Sequence, residues 1–461
     1  MLSFSTEGPD FNSWKMDTNV VIIGAGIAGL AAGYQLKKAG CDSIILEALS
    51  FVGGRMSSEE CEGFIIDKGA YTFPDAHRNL RSFIQDLGFK DHLVPTSGTT
   101  STFSGGREYR IKIGSPMDFL TYKLLTGRNK RDMIKLFLYA QSLGKALDIG
   151  RPTSKTFDLE RQSAAEYLLE SFDEEILEKI AYPIFSEVFL GVPEHNSKLA
   201  FLATIKNLTT FKIFAFTEGM GVVPEQLMRE LDVRLNSPVV KIAPASREGL
   251  YEIHVGGENP RSYLAEGVIL AVPLPLVIDI VDGLPENLAD GFRSVRYAPS
   301  IVTALAVDRE YPATSMINNL LRRDDGVIAT IIFDHHKSPH RIPKGKSLVT
   351  AILCESASHM LFAEPDGKIT EAVLGDVGKI TEAVLGDVDK RYHGFADKLI
   401  FSKVYRWPHG AVQLMPGSVR RQHELRKMLA ELRGNLLFAG DGLYKSSLEI
   451  SFNTGVEAAI R

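Results

Sequence analysis

The sequence predicts an α/β protein of two domains, and three features of the chain carry this prediction. Near the start, the apolar strand 20–23, a glycine-rich turn and a helix are followed by a second strand that ends at Glu47. The stretch 163–192 has helical spacing of its apolar residues, whereas 299–308 and 347–355 are typical of sheet strands. A chain of 461 residues is too long for one hydrophobic core, so two or three domains are expected.

Composition and charge exclude several broad classes of protein. The 52 lysines and arginines against 57 aspartates and glutamates give a net charge of −5, which offers no general attraction to nucleic acid. A hydrophobic content of 44% is ordinary for a folded enzyme. Cys41, Cys61 and Cys354 are scattered without metal-ligand spacing, which favours a reducing compartment. We therefore expect a cytoplasmic protein that acts on a small molecule and has no nucleic-acid partner.

The first strand, turn and helix have the pattern of a Rossmann-like dinucleotide site. Gly24 permits the tight turn, Gly26 lets a pyrophosphate approach the backbone, and Gly29 lets the helix pack closely on the strand. The helix N-terminus would direct its free N–H groups at the phosphates. Glu47, at the end of the second strand, would accept hydrogen bonds from a ribose diol. Elements in this order predict a bound dinucleotide rather than a structural turn alone.

Two further elements indicate which dinucleotide is bound. Gly53-Gly54-Arg55 follows the second strand, and Asp-Lys-Gly-Ala-Tyr at 67–71 follows a short apolar run. Both resemble elements of the superfamily of flavin-dependent amine oxidases, protoporphyrinogen oxidases and phytoene desaturases, where the first lies along the pyrophosphate and the second near the flavin ring. Paired glycines let backbone donors approach a phosphate, and a guanidinium can neutralise its charge. The resemblance implies that the cofactor is FAD.

The resemblance covers most of the chain and implies a set of cofactor contacts. It includes the glycine-marked helix entry at 216–231, the strand ending at 271–273 and the closing segment 434–459. The implied FAD-binding residues are Gly24, Gly26, Ile27, Ala28, Gly29, Glu47, Ala48, Gly54, Arg55, Met56, Gly69, Ala70, Tyr71, Val239, Gly440, Asp441, Ser451 and Phe452.

The closing segment departs from the family's pattern in one place. Ile450 and Ser451 replace two small residues of a Glu-Gly-Ala run that brings backbone N–H groups against the flavin, although Ser451 would still donate through its own N–H. The cysteine that anchors flavin covalently in some relatives has no counterpart in this segment. We therefore expect FAD to bind without a covalent bond.

Placing these elements divides the chain into discontinuous domains. Residues 1–16 are expected to form a loose tail, 17–78, 215–278 and 398–461 a Rossmann-like FAD-binding domain, and 79–214 and 279–397 a substrate-binding domain. The substrate-binding domain is expected to be α+β, with a mixed sheet capped by helices and a mostly helical first piece.

Three segments carry no assigned chemistry. The stretch 115–147 combines helical apolar spacing with basic side chains, which suits either peripheral contact with a membrane interface or the charged outer face of helices above the active site. The identical tandem copy at 367–388 predicts a lengthened surface helix. His335, His336 and His340 lack the spacing of metal ligands, so no metal site is predicted.

The sequence predicts an FAD-dependent oxidoreductase that dehydrogenates a largely apolar small molecule at a C–C or C–N bond, with dioxygen or a quinone as electron acceptor. No catalytic residue is assigned, because the flavin carries the redox chemistry and the protein supplies a dry, oriented pocket. Tyr71 and Trp407 are expected nearest the flavin ring. A lysine near the flavin is a feature of the amine oxidase branch. No lysine of this sequence is assigned to that role, and Lys337 is the best of the poor candidates.

Two alternatives remain open from the sequence. A flavin-dependent mutase resembling UDP-galactopyranose mutase would need several arginines to bind a diphosphate, and Arg322, Arg323 and Arg341 are few for that role. A non-catalytic flavoprotein subunit would keep the scaffold without the chemistry, and the altered Ile450-Ser451 pair leaves room for it.

Overall fold

The computed structural model describes residues 18–96, 98–208, 212–324, 326–362, 380–432 and 434–461. The expected tail, 1–16, and most of the tandem copy, 367–379, lie outside the described residues. The strands are β1 (Thr18–Ile23), β2 (Ser43–Leu46), β3 (Ser58–Cys61), β4 (Phe64–Asp67), β5 (Phe73–Pro74), β6 (Leu93–Pro95), β7 (Thr99–Ser104), β8 (Arg107–Lys112), β9 (Ile213–Phe216), β10 (Val233–Arg234), β11 (Val239–Pro244), β12 (Tyr251–Val255), β13 (Arg261–Leu270), β14 (Tyr297–Val307), β15 (Ile317–Leu320), β16 (Ile328–Phe333), β17 (Ser347–Leu353), β18 (Leu399–Val412) and β19 (Leu436–Phe438). The helices are α1 (Ile27–Lys38), α2 (Arg78–Asp86), α3 (Pro116–Thr121), α4 (Gly127–Ser142), α5 (Ser154–Leu159), α6 (Ala164–Ser171), α7 (Glu174–Ile176), α8 (Tyr182–Ile184), α9 (Lys198–Asn207), α10 (Val222–Glu230), α11 (Leu274–Ile280), α12 (Glu286–Arg293), α13 (Glu355–Phe362), α14 (380–389), α15 (Ser418–Glu431) and α16 (Leu448–Ile460).

The first sheet is the sheet of the expected Rossmann-like domain, and helices cover both of its faces. Its order is β10-β2-β1-β13-β12-β11, β19 also pairs with β13, and β1, β2, β10, β13 and β19 run parallel. Helices α1, α2, α10 and α16 contribute to the core on one face, and α11, α12 and α15 to the core on the other. Because both faces are covered, β1 and β2 are continuous apolar runs rather than alternating ones.

The second sheet is mixed and has two faces of different use. Its order is β18-β14-β17-β16-β15-β7-β8. On the outer face, Ile301, Leu305 and Val349 pack against α13 and α14. On the inner face, Ala304, Ala306 and Leu348 pack against Phe64 and Ile66 of β4, while Ile317, Ile332 and Ile352 pack against Tyr71 and Leu190. The inner face therefore looks toward the strand and turn that follow the first sheet's glycine motifs.

Helices α3 to α9 surround a third core, which is the helical cap expected from the sequence. Helix α6 begins with a capping box: the Ser163 hydroxyl accepts from the Glu166 N–H (3.1 Å), and the Glu166 carboxylate accepts from the Ser163 N–H (2.9 Å). This reciprocal pair satisfies two N–H groups that the helix leaves without an internal acceptor.

Strand β18 and the hairpin β7–β8 depart from the expected arrangement of the chain. Strand β18 was assigned with the FAD-binding piece that begins at 398, yet it pairs with β14 along the second sheet. The hairpin β7–β8 interrupts the expected mostly helical piece and joins the same sheet through the pairing of β7 with β15. Strands β18 and β7 are recruited by long-range pairing, which local residue patterns do not encode.

Candidate active site

The first glycine motif forms a tight strand-to-helix turn. Gly24 has φ +99°, and a β-carbon there would lie 2.9 Å from the Ala271 carbonyl oxygen. A β-carbon on Gly29 would lie 1.9 Å from the Gly24 carbonyl oxygen, so no larger residue fits between helix and turn. At Gly26, by contrast, a β-carbon would meet no atom of the described residues within 4 Å. This open backbone directly precedes the N-terminus of α1, as phosphate binding requires.

Glu47 lies beside this turn and connects it to the segment before β11. Its carboxylate accepts from the Ala25 N–H (2.6 Å) and the Leu49 N–H (2.9 Å), and its carbonyl accepts from the Ser237 N–H (2.7 Å). The structure thus brings Val239, two residues after Ser237, to the same end of the sheet as Glu47. Ala48 is exposed at this edge.

The second and third motifs stack on the first. The Gly53 N–H donates to the Ala25 carbonyl (2.8 Å), and a β-carbon on Gly54 would lie 3.8 Å from the Gly26 α-carbon. The Ala70 N–H donates to the Arg55 carbonyl (2.7 Å), and a β-carbon on Gly69 would lie 2.7 Å from that oxygen. Three separate glycine-containing turns therefore line one continuous backbone surface.

Arg55 and Asp441 join this surface to the closing segment. The Arg55 Nη1 lies 2.8 Å from the Asp441 carboxylate and donates to the Gly410 carbonyl (2.8 Å). Burial lowers the pKa of Arg55, but the adjacent Asp441 outweighs burial, so the guanidinium stays charged. Asp441 also accepts from the Ser446 hydroxyl (2.9 Å). Since a carboxylate has about four acceptor positions, Asp441 retains capacity for a further hydroxyl donor.

Helix α16 approaches α1 very closely at its middle. A β-carbon on Gly455 would lie 2.0 Å from the Ala28 carbonyl oxygen. The Ser451 N–H, which the sequence left available to the flavin, instead donates to the Ser447 carbonyl in the first turn (3.0 Å). The ring of Phe452 packs on Phe83 at 4.8 Å in the core. Met56 is 1% exposed, and the side chains of Met56 and Phe452 both belong to the core beside α1.

The geometry and charges of the glycine surface fit a bound FAD. Open backbone lies at Gly26 and at Gly440, which has φ +121° and where a β-carbon would meet no described atom within 4 Å. The N-terminus of α1 and the Arg55 guanidinium supply positive charge for a pyrophosphate, while Glu47 and Asp441 supply acceptors for hydroxyls. Among the predicted FAD contacts, the glycines, Arg55 and Asp441 lie close together on the glycine surface. Glu47 and Val239 lie together at the opposite end of that surface.

Tyr71 and Trp407 lie at the end of this surface that faces the second sheet. The Trp407 indole N–H donates to the Lys68 carbonyl (2.8 Å), which fixes Trp407 beside the 67–71 turn. Tyr71 packs against the inner face of the second sheet. Burial and the neighbouring Glu187 raise the pKa of Tyr71 well above its ordinary value, so it is a neutral hydrogen-bond donor.

Lys337, the candidate for the family's lysine near the flavin, lies in a buried cluster of ion pairs. Its ammonium is fully buried and contacts Asp67 (3.0 Å) and Asp334 (2.6 Å). Arg341, also fully buried, contacts Asp67 (2.6 Å), and the Thr350 hydroxyl donates to Asp334 (2.7 Å). Burial raises the pKa of Asp67, but Arg341 and Lys337 outweigh it and hold that pKa well below its usual range. We call Asp67, Asp334, Lys337 and Arg341 the paired cluster.

Glu187 is a functional candidate that sequence reasoning missed. The Tyr71 hydroxyl donates to one of its carboxylate oxygens (3.1 Å), and the Asn319 amide donates to the other (3.3 Å). Glu187 belongs to a helical stretch of apolar residues, 182–190. An acidic residue within such an apolar run was the sequence feature that could have identified it as a functional candidate. Its place against Tyr71 depends on chain folding and is not readable from spacing.

The sequence model of the flavin-containing amine oxidoreductases matches residues 27–461. The chain belongs to this family. It is therefore a flavin-dependent oxidoreductase, and FAD is the cofactor that the glycine surface accommodates. The match begins at the first residue of α1, so it includes the whole second sheet and, of the first sheet, every strand except β1.

Individual members of the family resemble the chain over most of its length. Coproporphyrinogen III oxidase of Bacillus subtilis (strain 168) is 23% identical over 469 residues, covering 92% of this chain and 93% of the relative. L-amino-acid oxidase of Bungarus fasciatus is 25% identical, covering 65% of this chain and 60% of the relative. The solved structure of putrescine oxidase bound to putrescine has a TM-score of 0.75 at 19% identity, covering 96% of this chain and 98% of that one. Cyclohexylamine oxidase from Brevibacterium oxydans IH-35A gives 0.71 at 17% identity, covering 96% and 98%.

The described residues contain neither a group of metal ligands nor a membrane-spanning helix. Among the described residues, His, Cys, Asp and Glu side chains form no group of three that could hold a metal ion. Within the same part of the chain, the helices are too short or too polar to cross a bilayer.

Proposed function

We propose that this flavoenzyme dehydrogenates a largely apolar small molecule at a C–C or C–N bond, with dioxygen or a quinone as the final electron acceptor. When bound, the flavin would accept a hydride from the substrate. The observation that carries the proposal is the apolar inner face of the second sheet, which stands opposite the 67–71 turn at the end of the glycine surface.

We expect the chain's own residues to supply the apolar wall that this reaction needs. Ile317, Ile332 and Ile352 are at most 3% exposed and present aliphatic side chains beside Tyr71. Trp407, held by the Lys68 carbonyl, covers the other side of the turn. Such walls exclude water and orient a substrate carbon, which is the protein's main task when the cofactor performs the redox step.

The first test is the visible spectrum of the purified protein. We expect a yellow protein whose FAD is released intact by acid, since the predicted attachment is non-covalent. After anaerobic photoreduction, rapid recovery of the oxidised spectrum in air would support dioxygen as the acceptor, and recovery only with a quinone would support the alternative. A colourless protein that takes up no added FAD would overturn the proposal.

A flavin-dependent mutase is the weaker candidate. The three arginines that such an enzyme could use for a diphosphate are engaged by carboxylates: Arg322 contacts Glu178 and Glu194, Arg323 contacts Glu174, and Arg341 contacts Asp67. A mutase returns its electrons to the product, so net consumption of an acceptor during turnover would exclude it.

We also propose that the surface formed by α3 and α4 rests on an anionic lipid interface. Met117 and Leu120 on α3 and Leu138 on α4 are 67%, 58% and 60% exposed, which is unusual for adjacent large apolar side chains. Lys123, Arg128, Arg131 and Lys135 are exposed on the same segment. Apolar residues bordered by basic ones suit the headgroup region of a charged membrane.

Vesicle sedimentation tests this surface. We expect the protein to pellet with vesicles containing phosphatidylserine more than with phosphatidylcholine alone, and Leu138→Ser to reduce the bound fraction. Equal behaviour on both vesicles, or no effect of Leu138→Ser, would contradict the proposal and favour a solvent-facing roof over the active site.

A further inference from the structure

A cavity of about 190 Å³ lies where the helical cap meets the closing segment of the chain. The cap lines it with the 3₁₀ turn Gly144–Leu147, with Asp148 and with the last turn of α9. The closing segment adds Lys445. The described residues that line this cavity lie outside the second sheet, whose inner face carries the proposed function.

Lys445 reaches the cavity from a stretch of backbone that is held on both sides. Before it, the Arg426 guanidinium donates to the Leu443 carbonyl (2.6 Å). After it, the Ser446 hydroxyl donates to the Asp441 carboxylate (2.9 Å). The neighbours of Lys445 therefore fix its place at the cavity, and no partner of its own ammonium is needed for this.

The ammonium of Lys445 has no direct counterion in the part of the chain that the structure describes. Among those residues, its Nζ donates no hydrogen bond and has no carboxylate oxygen within 4.0 Å. Asp148 attracts it from farther away, but Asp148 is exposed and its carboxylate accepts from the Gly150 N–H (2.9 Å). Burial outweighs Asp148 and lowers the pKa of Lys445. A cation in this position carries a desolvation cost that an anion in the cavity would offset.

A second cation and two apolar side chains complete the lining. The Lys206 ammonium donates to the Gly144 carbonyl (2.9 Å) and retains donors for a further acceptor. Leu147 and Ala203 contribute apolar surface. The cations of the cavity thus outnumber its acid, Asp148, and they lie on opposite sides of the junction between the cap and the closing segment.

We propose that this cavity binds a small oxyanion, a phosphate or a carboxylate group, through Lys445 and Lys206. The site goes beyond the proposed dehydrogenation and involves no redox step. Its occupant joins the cap, through Lys206, to the closing segment, through Lys445. The oxyanion either enters free from solution or is carried by an organic molecule whose apolar part contacts Leu147 and Ala203.

Calorimetric titration of the FAD-loaded protein with inorganic phosphate tests the site, because bound FAD already occupies the glycine surface. At constant ionic strength, we expect saturable binding with a dissociation constant on the order of 1–10 mM, as a few charged hydrogen bonds imply. Lys445→Met should weaken this binding about tenfold or more. Lys427→Met, exposed on α15, is the matched control and should bind phosphate as the wild type does.

A parallel titration with hexanoate distinguishes the two sources of the oxyanion. Tighter binding of hexanoate that is lost in Lys445→Met assigns the anion to an organic ligand, and tighter binding of phosphate assigns it to a free ion. Either result supports the site. If Lys445→Met fails to retain FAD, Lys206→Met provides the same comparison from the cap.

Two results would overturn the site. One is a wild type that binds neither anion saturably, and the other is equal binding of both anions by the wild type, Lys445→Met and Lys206→Met. Both results leave the proposed dehydrogenation standing, because reduction of the flavin by a donor is measured separately from its visible spectrum.

Discussion

The paired cluster and Glu187 are two acidic sites beside the same sheet, and they differ in what balances their charge. In the paired cluster, two carboxylates meet two cations at full burial. At Glu187, the described residues that donate to the carboxylate are a phenol, Tyr71, and an amide, Asn319. A buried charge that is already balanced holds parts of the protein together, because Asp67 ends β4 while Lys337 and Arg341 follow β16. A charge without a counterion is available to a ligand. The comparison teaches that burial alone does not identify a binding group; the identity of its partners does.

The largest expected effect comes from breaking the paired cluster. Lys337→Met leaves Asp334 and Asp67 short of one buried cation, and we expect the free energy of unfolding to fall by about 3–5 kcal/mol. Urea unfolding of the FAD-loaded protein measures this change. Lys135→Met is the matched control, because Lys135 contacts Asp132 with a side chain that is 72% exposed, and we expect it to change stability by less than about 1 kcal/mol. Similar losses in both variants would refute the assignment.

The same cluster predicts a direction for the dependence of stability on pH. The pKa of Asp67 is lower in the folded protein than in the unfolded chain, so its contribution is present above the unfolded value, about 4, and is lost as pH falls toward the folded value. We expect Asp67→Asn to be less stable at neutral pH and to show a shallower decline of stability with acid. If stability fell equally with acid in the wild type and in Asp67→Asn, Asp67 would not be a cause of the pH dependence.

Arg55 is a third case, in which a paired cation also borders the cofactor. Arg55→Gln removes the positive charge that faces the expected pyrophosphate and leaves Asp441 without its ion-pair partner. We expect FAD to bind about ten- to a hundredfold more weakly, as loss of a charged hydrogen bond implies. Titration of the apoprotein with FAD, followed by flavin fluorescence, gives the constant. Arg55→Lys should recover part of the loss, and equal affinity in all three proteins would show that the phosphate contact lies elsewhere.

Glu187→Gln should shift stability in the opposite direction to Asp67→Asn. Because burial raises the pKa of Glu187, the wild type loses stability as pH rises from the unfolded value through the folded one. The amide has no such penalty, so we expect the substrate-free variant to be about 0.5–2 kcal/mol more stable at neutral pH. Thermal unfolding from pH 5 to 8 should show the gap widening with pH. A destabilised variant would mean that the negative charge is already compensated.

The smallest expected effect belongs to Tyr71, which touches both sites. Its hydroxyl donates to Glu187, and its ring lies 5.3 Å from the Lys337 ammonium. Tyr71→Phe removes the hydroxyl and keeps the ring, so stability should change by about 1 kcal/mol or less. In double-mutant cycles, Tyr71→Phe should couple to Glu187→Gln and be additive with Lys337→Met within about 0.5 kcal/mol. A large interaction energy between Tyr71→Phe and Lys337→Met would show that the paired cluster and Glu187 belong to one network.

Sequence reasoning succeeded where one local pattern decides the structure. The strand, glycine turn, helix and strand from Thr18 to Leu46 form as expected, because buried parallel strands and helix starts have distinctive residues. The strands expected at 299–308 and 347–355 and before 271–273 also form, as β14, β17 and β13. The family and its cofactor followed from separate motifs in the right order, and the match over 27–461 confirms them.

Sequence reasoning failed where a partner far away in the chain decides. Strand β18 contains Lys403 and Tyr405, and its residues do not indicate which sheet it joins. Its pairing with β14 decides this. Lys337 looks like a free lysine until Asp67 is brought to it by folding. Glu187 acquires its meaning only beside Tyr71, which precedes it by more than a hundred residues. Such contacts require coordinates, because spacing along the chain does not carry them.

The close contact between Gly455 and Ala28 sets an order of events during biosynthesis. Helix α1 emerges early from the ribosome, but α16, which lies on it without room for a side chain at Gly455, is translated after both halves of the second sheet. Domains fold as their last element becomes available. The nascent chain therefore carries an incomplete glycine surface until α16 has been synthesised and packs on α1.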